Sequence, residues 1–172
     1  MEWEEPSRQD LERLAAQLGR EPRGRVFVAS RCPFGRVQVA ATAPRLDDGT
    51  PFPTLYWLSC PVLRSEVSRL EAGGFRRRLR EMLEDQGFLR RLTAAERSYS
   101  REREELASRL GLAGETGRWG GLKGVGGSKP GSLKCLHAHY AHYLAGGDNP
   151  VGEMVHVELG EDRLRRCGGE CP

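Results

Sequence analysis

Apolar residues recur at helical spacing through residues 7–18, where Leu11, Leu14, Ala15 and Leu18 share one side before Gly19 and Pro22. That pattern predicts a short amphipathic helix ending at the glycine. The period then changes. Residues 25–30 and 36–42 carry Val26, Phe27, Val28, Val37 and Val39, and the five residues Arg31-Cys32-Pro33-Phe34-Gly35 between them suit a hairpin connection. Asp47-Asp48-Gly49 marks a turn, and residues 54–59, Thr-Leu-Tyr-Trp-Leu-Ser, predict a third strand. Both faces of that strand are largely apolar, so it is expected at the centre of the sheet. From Val62 the spacing is helical again. Helices are predicted over 62–72, stopped by Gly73-Gly74, over 75–86, stopped by Gly87, and over 93–110, opened by a Thr93-Ala94-Ala95-Glu96 capping box.

Nine glycines fall among the twenty-one residues 111–131, which reads as a long flexible loop. A histidine-rich helix is predicted next, with Ser132 as N-cap and Cys135 in the first turn, ending at Gly146-Gly147. Residues 148–153 read as a turn, 154–159 as a final strand, and 160–172 as a flexible tail containing Cys167 and Cys171. The expectation is one α+β domain: a small antiparallel or mixed sheet of about three to four strands packed with about five helices.

A chain of 172 residues is long enough to build a core without a metal staple. The net charge of +3, from 27 Lys and Arg against 24 Asp and Glu, is too small an excess to imply nucleic acid. The first residues are acidic, and no run of about 18 apolar residues occurs, so a cytoplasmic, non-membrane protein is expected. Five cysteines, an odd number, then argue for ligands or reactive thiols over a disulfide framework.

The chemistry concentrates in residues 134–142, which hold three of the four histidines and one cysteine. At about 100° per residue, Cys135, His139 and His142 share one helical face while His137 points nearly the opposite way. Such a face can hold Zn²⁺ or a late transition metal, with a fourth position for water or another residue. Cys32-Pro33-Phe34-Gly35 is half of a metal knuckle, and Cys60-Pro61 closes the third strand. With Cys135 and His142 these two thiols would complete a closed Cys₃His zinc site, whereas Cys32, Cys60, Cys135 and a tail cysteine would suit an iron–sulfur cluster.

Two further readings are open. Residues 124–134 form a glycine-rich basic run into a helix start, where Gly126, Gly127, Lys129, Ser132 and Lys134 would meet a phosphate, although no Walker pattern is present. Arg76, Arg77, Arg78, Arg80, Arg90 and Arg91 add a basic patch with few aromatics, which favours a phosphorylated small molecule over a nucleic acid. The other reading is thiol catalysis, with Cys135 activated by a helix start and a neighbouring histidine. Cys167 and Cys171 would then be a separate redox pair or spare thiols.

Several motifs occur together: Arg31-Cys32-Pro33, the run Asp48 to Leu58, Ser68-Arg69-Leu70-Glu71, Lys134-Cys135-Leu136-His137 with Ala141-His142, and Asn149-Pro150-Val151-Gly152-Glu153. In this combination the chain resembles an uncharacterised bacterial family, domain of unknown function 501, over roughly residues 8 to 153. The resemblance implies no established activity. It does imply that Cys135, His137 and His142 are more regular than His139, which would bring His137 into the ligand set. The function expected is metal-assisted hydrolysis of a phosphorylated compound, with Glu153 as base or as partner to a ligand. The alternative is a non-catalytic scaffold with a structural zinc.

Overall fold

The structure is a computed structural model and describes residues 3–114, 122–131, 133 and 135–160. Helix α1 (Arg8–Leu18) begins at Ser7, whose side chain accepts from the Asp10 N–H while Asp10 accepts from the Ser7 N–H. It ends on Gly19 in the left-handed conformation, as the spacing and the glycine predict. Strands β1 (Val26–Arg31), β2 (Val37–Thr42) and β3 (Tyr56–Leu58) form one antiparallel sheet in the order β1-β2-β3. The central strand is therefore β2, and β3 lies at an edge. Its two apolar faces arise because helix α5, defined below, packs against it, and because Trp57 stacks on Phe52 with ring centroids 5.8 Å apart.

Alternation along the sheet divides two cores. Val26, Val28 and Ala40 pack with Leu14 of α1 on one face. Phe27, Val39, Ala41, Tyr56 and Leu58 face the larger core made with the later helices. These are α2 (Pro61–Ala72), α3 (Phe75–Met82), α4 (Gln86–Arg109), α5 (Leu136–Leu144) and α6 (Pro150–Leu159). The class is α+β, with three strands and six α-helices among the described residues.

The following spans differ from expectation, each for a local reason. Helix α4 starts seven residues before the Thr93 capping box, because the Asp85 carboxylate accepts from the Phe88 N–H and caps the chain earlier. Thr93 then bonds back to Leu89 O inside the helix, and Glu96 accepts from the Gly131 N–H. The span expected as a turn and strand, 148–159, is α6. Its Asn149 side chain accepts from the Gly152 N–H, Pro150 sits at N1, and Val151, Val155 and Leu159 are buried at a spacing of four. The part of the glycine-rich span described here is ordered by close packing: Gly126 and Gly127 take φ of 70° and 71°, and a Cβ on either would come within 2.7 Å of Ala138 or Pro53. Residues 115–121 and 161–172, with Cys167 and Cys171, lie outside the described residues.

Candidate metal centre

Helix α5 begins at Leu136, one residue after Cys135, which is the N-cap with φ −133° and ψ 102°. The Leu136 N–H donates to Glu71 Oε1 at 2.9 Å, so a carboxylate from the last turn of α2 holds the start of α5. Glu71 also pairs with Arg76 at 3.1 Å. His137 Nε2 lies 3.1 Å from Arg64 O and 3.3 Å from Ser68 Oγ. A carbonyl can only accept, so Nε2 carries the proton and the ring is fixed with Nδ1 facing Glu71 Oε1 at 3.7 Å. One ligand atom each from Glu71, Cys135 and His137 lies within 4.8 Å of the others.

The electrostatics of this group favour a thiolate. Burial pushes the Cys135 thiol up, but the hydrogen bond with His137, the Ala138 N–H and the charge of His137 outweigh it and leave the thiol below its ordinary pKa, with Glu71 opposing. The Ala138 N–H acts here without closing a capping bond. The same contact with Cys135 raises His137 above the usual imidazole value against burial, helped by the Arg64 carbonyl and Glu71. Cys135 is exposed, and the group sits on a cleft of about 660 Å³ whose walls include Thr54, Trp57, Arg64, Ser68 and Gly126.

His139 and His142 are elsewhere. They are 1% and 0% exposed and belong to a buried network with Asn149, Glu102 and Tyr56. The expected trio of Cys135, His139 and His142 is therefore split, and only Cys135 faces the cleft. Cys60 is the buried N-cap of α2, eight residues before the Ser68 that His137 touches, which is roughly 12 Å along a helix axis. Cys32 closes the β1–β2 hairpin, its N–H donating to Arg36 O at 2.9 Å. Neither thiol joins Cys135 in a group of three ligand atoms among the described residues, so the described geometry assembles neither the Cys₃His set nor the iron–sulfur cluster.

Glu153 is paired with Arg91 at 2.8 Å on the first turn of α6, and Arg91 also holds Asp148 at 2.6 Å. That engagement takes Glu153 away from the role of base beside Cys135. The expected anion site fares similarly. Gly126 O accepts from Thr54, the Gly127 N–H donates to Gly124 O, and the start of α5 is already met by the Glu71 carboxylate, while Lys129 is exposed. Ser132 and Lys134 lie outside the described residues.

The residue that composition and spacing missed is Glu71. It stands in the Ser68-Arg69-Leu70-Glu71 motif, and its position in the last turn of a helix near a cysteine-histidine pair is visible only after folding. The chain matches a family described as Protein of unknown function (DUF501) over residues 28–157. It belongs to that family. No curated protein and no solved structure matches it. Among the described residues no helix is long and apolar enough to cross a membrane.

Proposed function

We propose that Glu71, Cys135 and His137 hold a divalent transition metal, with zinc the best fit to a thiolate, imidazole and carboxylate set. One observation carries the reading. The Nε2–H of His137 is anchored on the Arg64 carbonyl, the arrangement found behind metal-bound histidines, which turns Nδ1 toward the Cys135 sulfur and the Glu71 carboxylate. Three protein ligands, two of them, Cys135 and His137, lining a cleft, match the catalytic class of site better than the closed structural class. A metal with an open position lowers the pKa of a bound water toward neutrality, which is the chemistry of hydrolysis.

The residues around the group have separable parts. Arg64 fixes His137 through its carbonyl and donates one guanidinium N–H to Gln17 O at 2.8 Å, and its other N–H groups suit an anionic substrate such as a phosphoryl group. Glu71 holds the helix start and screens the imidazole. The lowered Cys135 thiol supports a second reading, a thiolate nucleophile with His137 as its partner. Metal analysis and titration of the untagged protein separate the two. Stoichiometric zinc, lost in Cys135→Ser and His137→Ala, together with zinc-dependent cleavage of phosphate esters, supports the metal reading. Full-strength zinc binding in both variants would remove it, and covalent trapping of Cys135 by an acyl electrophile in metal-free protein would favour the thiol.

A further inference from the structure

A second cleft, of about 1050 Å³, runs along the exposed side of α4 and is walled on the far side by Lys123 and Pro130. Gly126, between those two residues in sequence, faces the cleft of the metal group instead, so the 122–131 segment separates the two. Arg90, Arg97 and Arg101 line the α4 wall. At positions i, i+7 and i+11 they fall within about 40° of one another around the helix, spaced roughly 10 Å and 6 Å along its axis.

These cations differ from three arginines of the basic runs. Arg76, Arg78 and Arg91 are neutralised by Glu71, Glu158, and Asp148 with Glu153. Arg90, Arg97, Arg101 and Lys123 make no ion pair with a carboxylate among the described residues. Arg97 and Arg101 are like charges one turn apart on a single face, an arrangement that is unfavourable until an anion lies between them. The one carboxylate in the lining, Glu96, is 7% exposed and accepts from the Gly131 N–H at 2.6 Å, so it docks the far wall onto α4 rather than countering the arginines.

We propose that this cleft binds a small organic ligand carrying a di- or triphosphate, with the phosphates between Arg97, Arg101 and Lys123 and an apolar body against Leu89 and Ala94. The size is at the upper end of small-molecule sites. Among the described residues no aromatic ring lines the cleft, so bases have no described ring to stack on, which disfavours a single nucleic-acid strand. The site uses neither Cys135 nor His137 and does not depend on the metal reading.

The test is calorimetric titration of the full chain at low salt with orthophosphate, tripolyphosphate, ATP and a fifteen-residue thymidine oligonucleotide. Binding of tripolyphosphate or ATP well above orthophosphate is expected, with affinity falling as salt rises. The double variant Arg97→Gln/Arg101→Gln should weaken it by about tenfold or more. Lys123→Gln, on the opposite wall, should weaken it as well, while zinc uptake and thermal melting stay unchanged in both. The proposal is overturned if tripolyphosphate and ATP fail to bind, if both variants bind as the parent does, or if the oligonucleotide binds more tightly than ATP.

Discussion

Glu102 of α4 is the acceptor at the centre of the buried polar network, and replacing it separates the structural role of that network from the Glu71, Cys135 and His137 group. Its carboxylate accepts from Ser98 Oγ at 2.8 Å and from Tyr56 OH at 3.0 Å, and His142 Nε2 lies 3.5 Å away without meeting hydrogen-bond geometry. Tyr56 OH in turn accepts from the Trp3 indole N–H at 3.3 Å. Asn149 fixes the other end. Its Oδ1 accepts from the Gly152 N–H, so Nδ2 faces His139 Nδ1 and His142 Nδ1, each at 3.2 Å. The His142 ring then accepts at Nδ1 and carries its proton on Nε2, which turns that N–H toward Glu102, while His139 Nδ1 lies 3.2 Å from both Asn149 Oδ1 and Nδ2.

In Glu102→Ala these donors lose their acceptor in buried surroundings. Each buried group left unpaired costs about 1–3 kcal/mol, and some donors re-pair, so a net loss of about 3–5 kcal/mol is expected. Glu102→Gln keeps the volume and one acceptor oxygen, and about 1–2 kcal/mol is expected. Urea unfolding at pH 7 measures both. Burial pushes the Glu102 carboxyl up, but His142, Ser98 and Tyr56 outweigh it and hold it below its ordinary value. A depressed folded pKa stabilises the protein above the unfolded value of about 4.3, and the gain is lost as pH falls through the folded value. The parent should therefore lose more stability than Glu102→Gln on acidification below about pH 4. An Ala variant within about 1 kcal/mol of the parent, or a Gln variant as damaged as the Ala one, would show that the network does not support the core.

Three other outcomes are expected. Asp10 bonds both guanidinium nitrogens of Arg31, at 2.8 and 3.0 Å, and its carboxyl lies well below the usual range, so Asp10→Ala should cost about 1.5–3 kcal/mol at pH 7 and progressively less below about pH 4, as read by thermal melting. Cys135, exposed and with a lowered thiol pKa, should react with iodoacetamide at pH 7 faster than the buried Cys60, more slowly in His137→Ala, and be protected by zinc; equal rates by peptide mass mapping would contradict the site. A Cβ at Gly147 would overlap the His142 ring, so Gly147→Ala should lower the urea midpoint by the equivalent of about 2–3 kcal/mol, and an unchanged midpoint would mean that the turn before α6 yields freely.

Much of the fold was legible where local signals agree. The Gly19 stop of the first helix and the five-residue hairpin connection each combine a period with a punctuating residue, and each appears in the structure close to the expected position. The failures fall where two local signals compete. Residues 154–159 alternate enough to pass for a strand, but the cap at Asn149 and the proline at N1 begin a helix earlier and carry it through them. The edge position of β3 depends on the packing of α5, which no run of apolar residues reveals.

The group of Glu71, Cys135 and His137 was half legible, and the missing half follows from one backbone angle. Periodicity correctly separates His137 from His139 and His142, which lie on the core side of α5. It assigns Cys135 to the wrong side because the 100° step applies only inside a helix, and Cys135 at φ −133° stands before it. Turned out of the helical path, the cysteine meets His137, and the carboxylate needed to anchor the first N–H of α5 arrives from Glu71, 65 positions earlier in the chain. That anchor links the site to the fold. Removing it with Glu71→Ala should free the start of α5 and disperse the ligands together, so loss of zinc and loss of protection at the Leu136 amide in hydrogen exchange are expected in the same variant, whereas Glu71→Gln should keep the amide protected and lose only metal affinity. If Glu71→Ala leaves the Leu136 amide protected, the start of α5 is held by something other than this carboxylate.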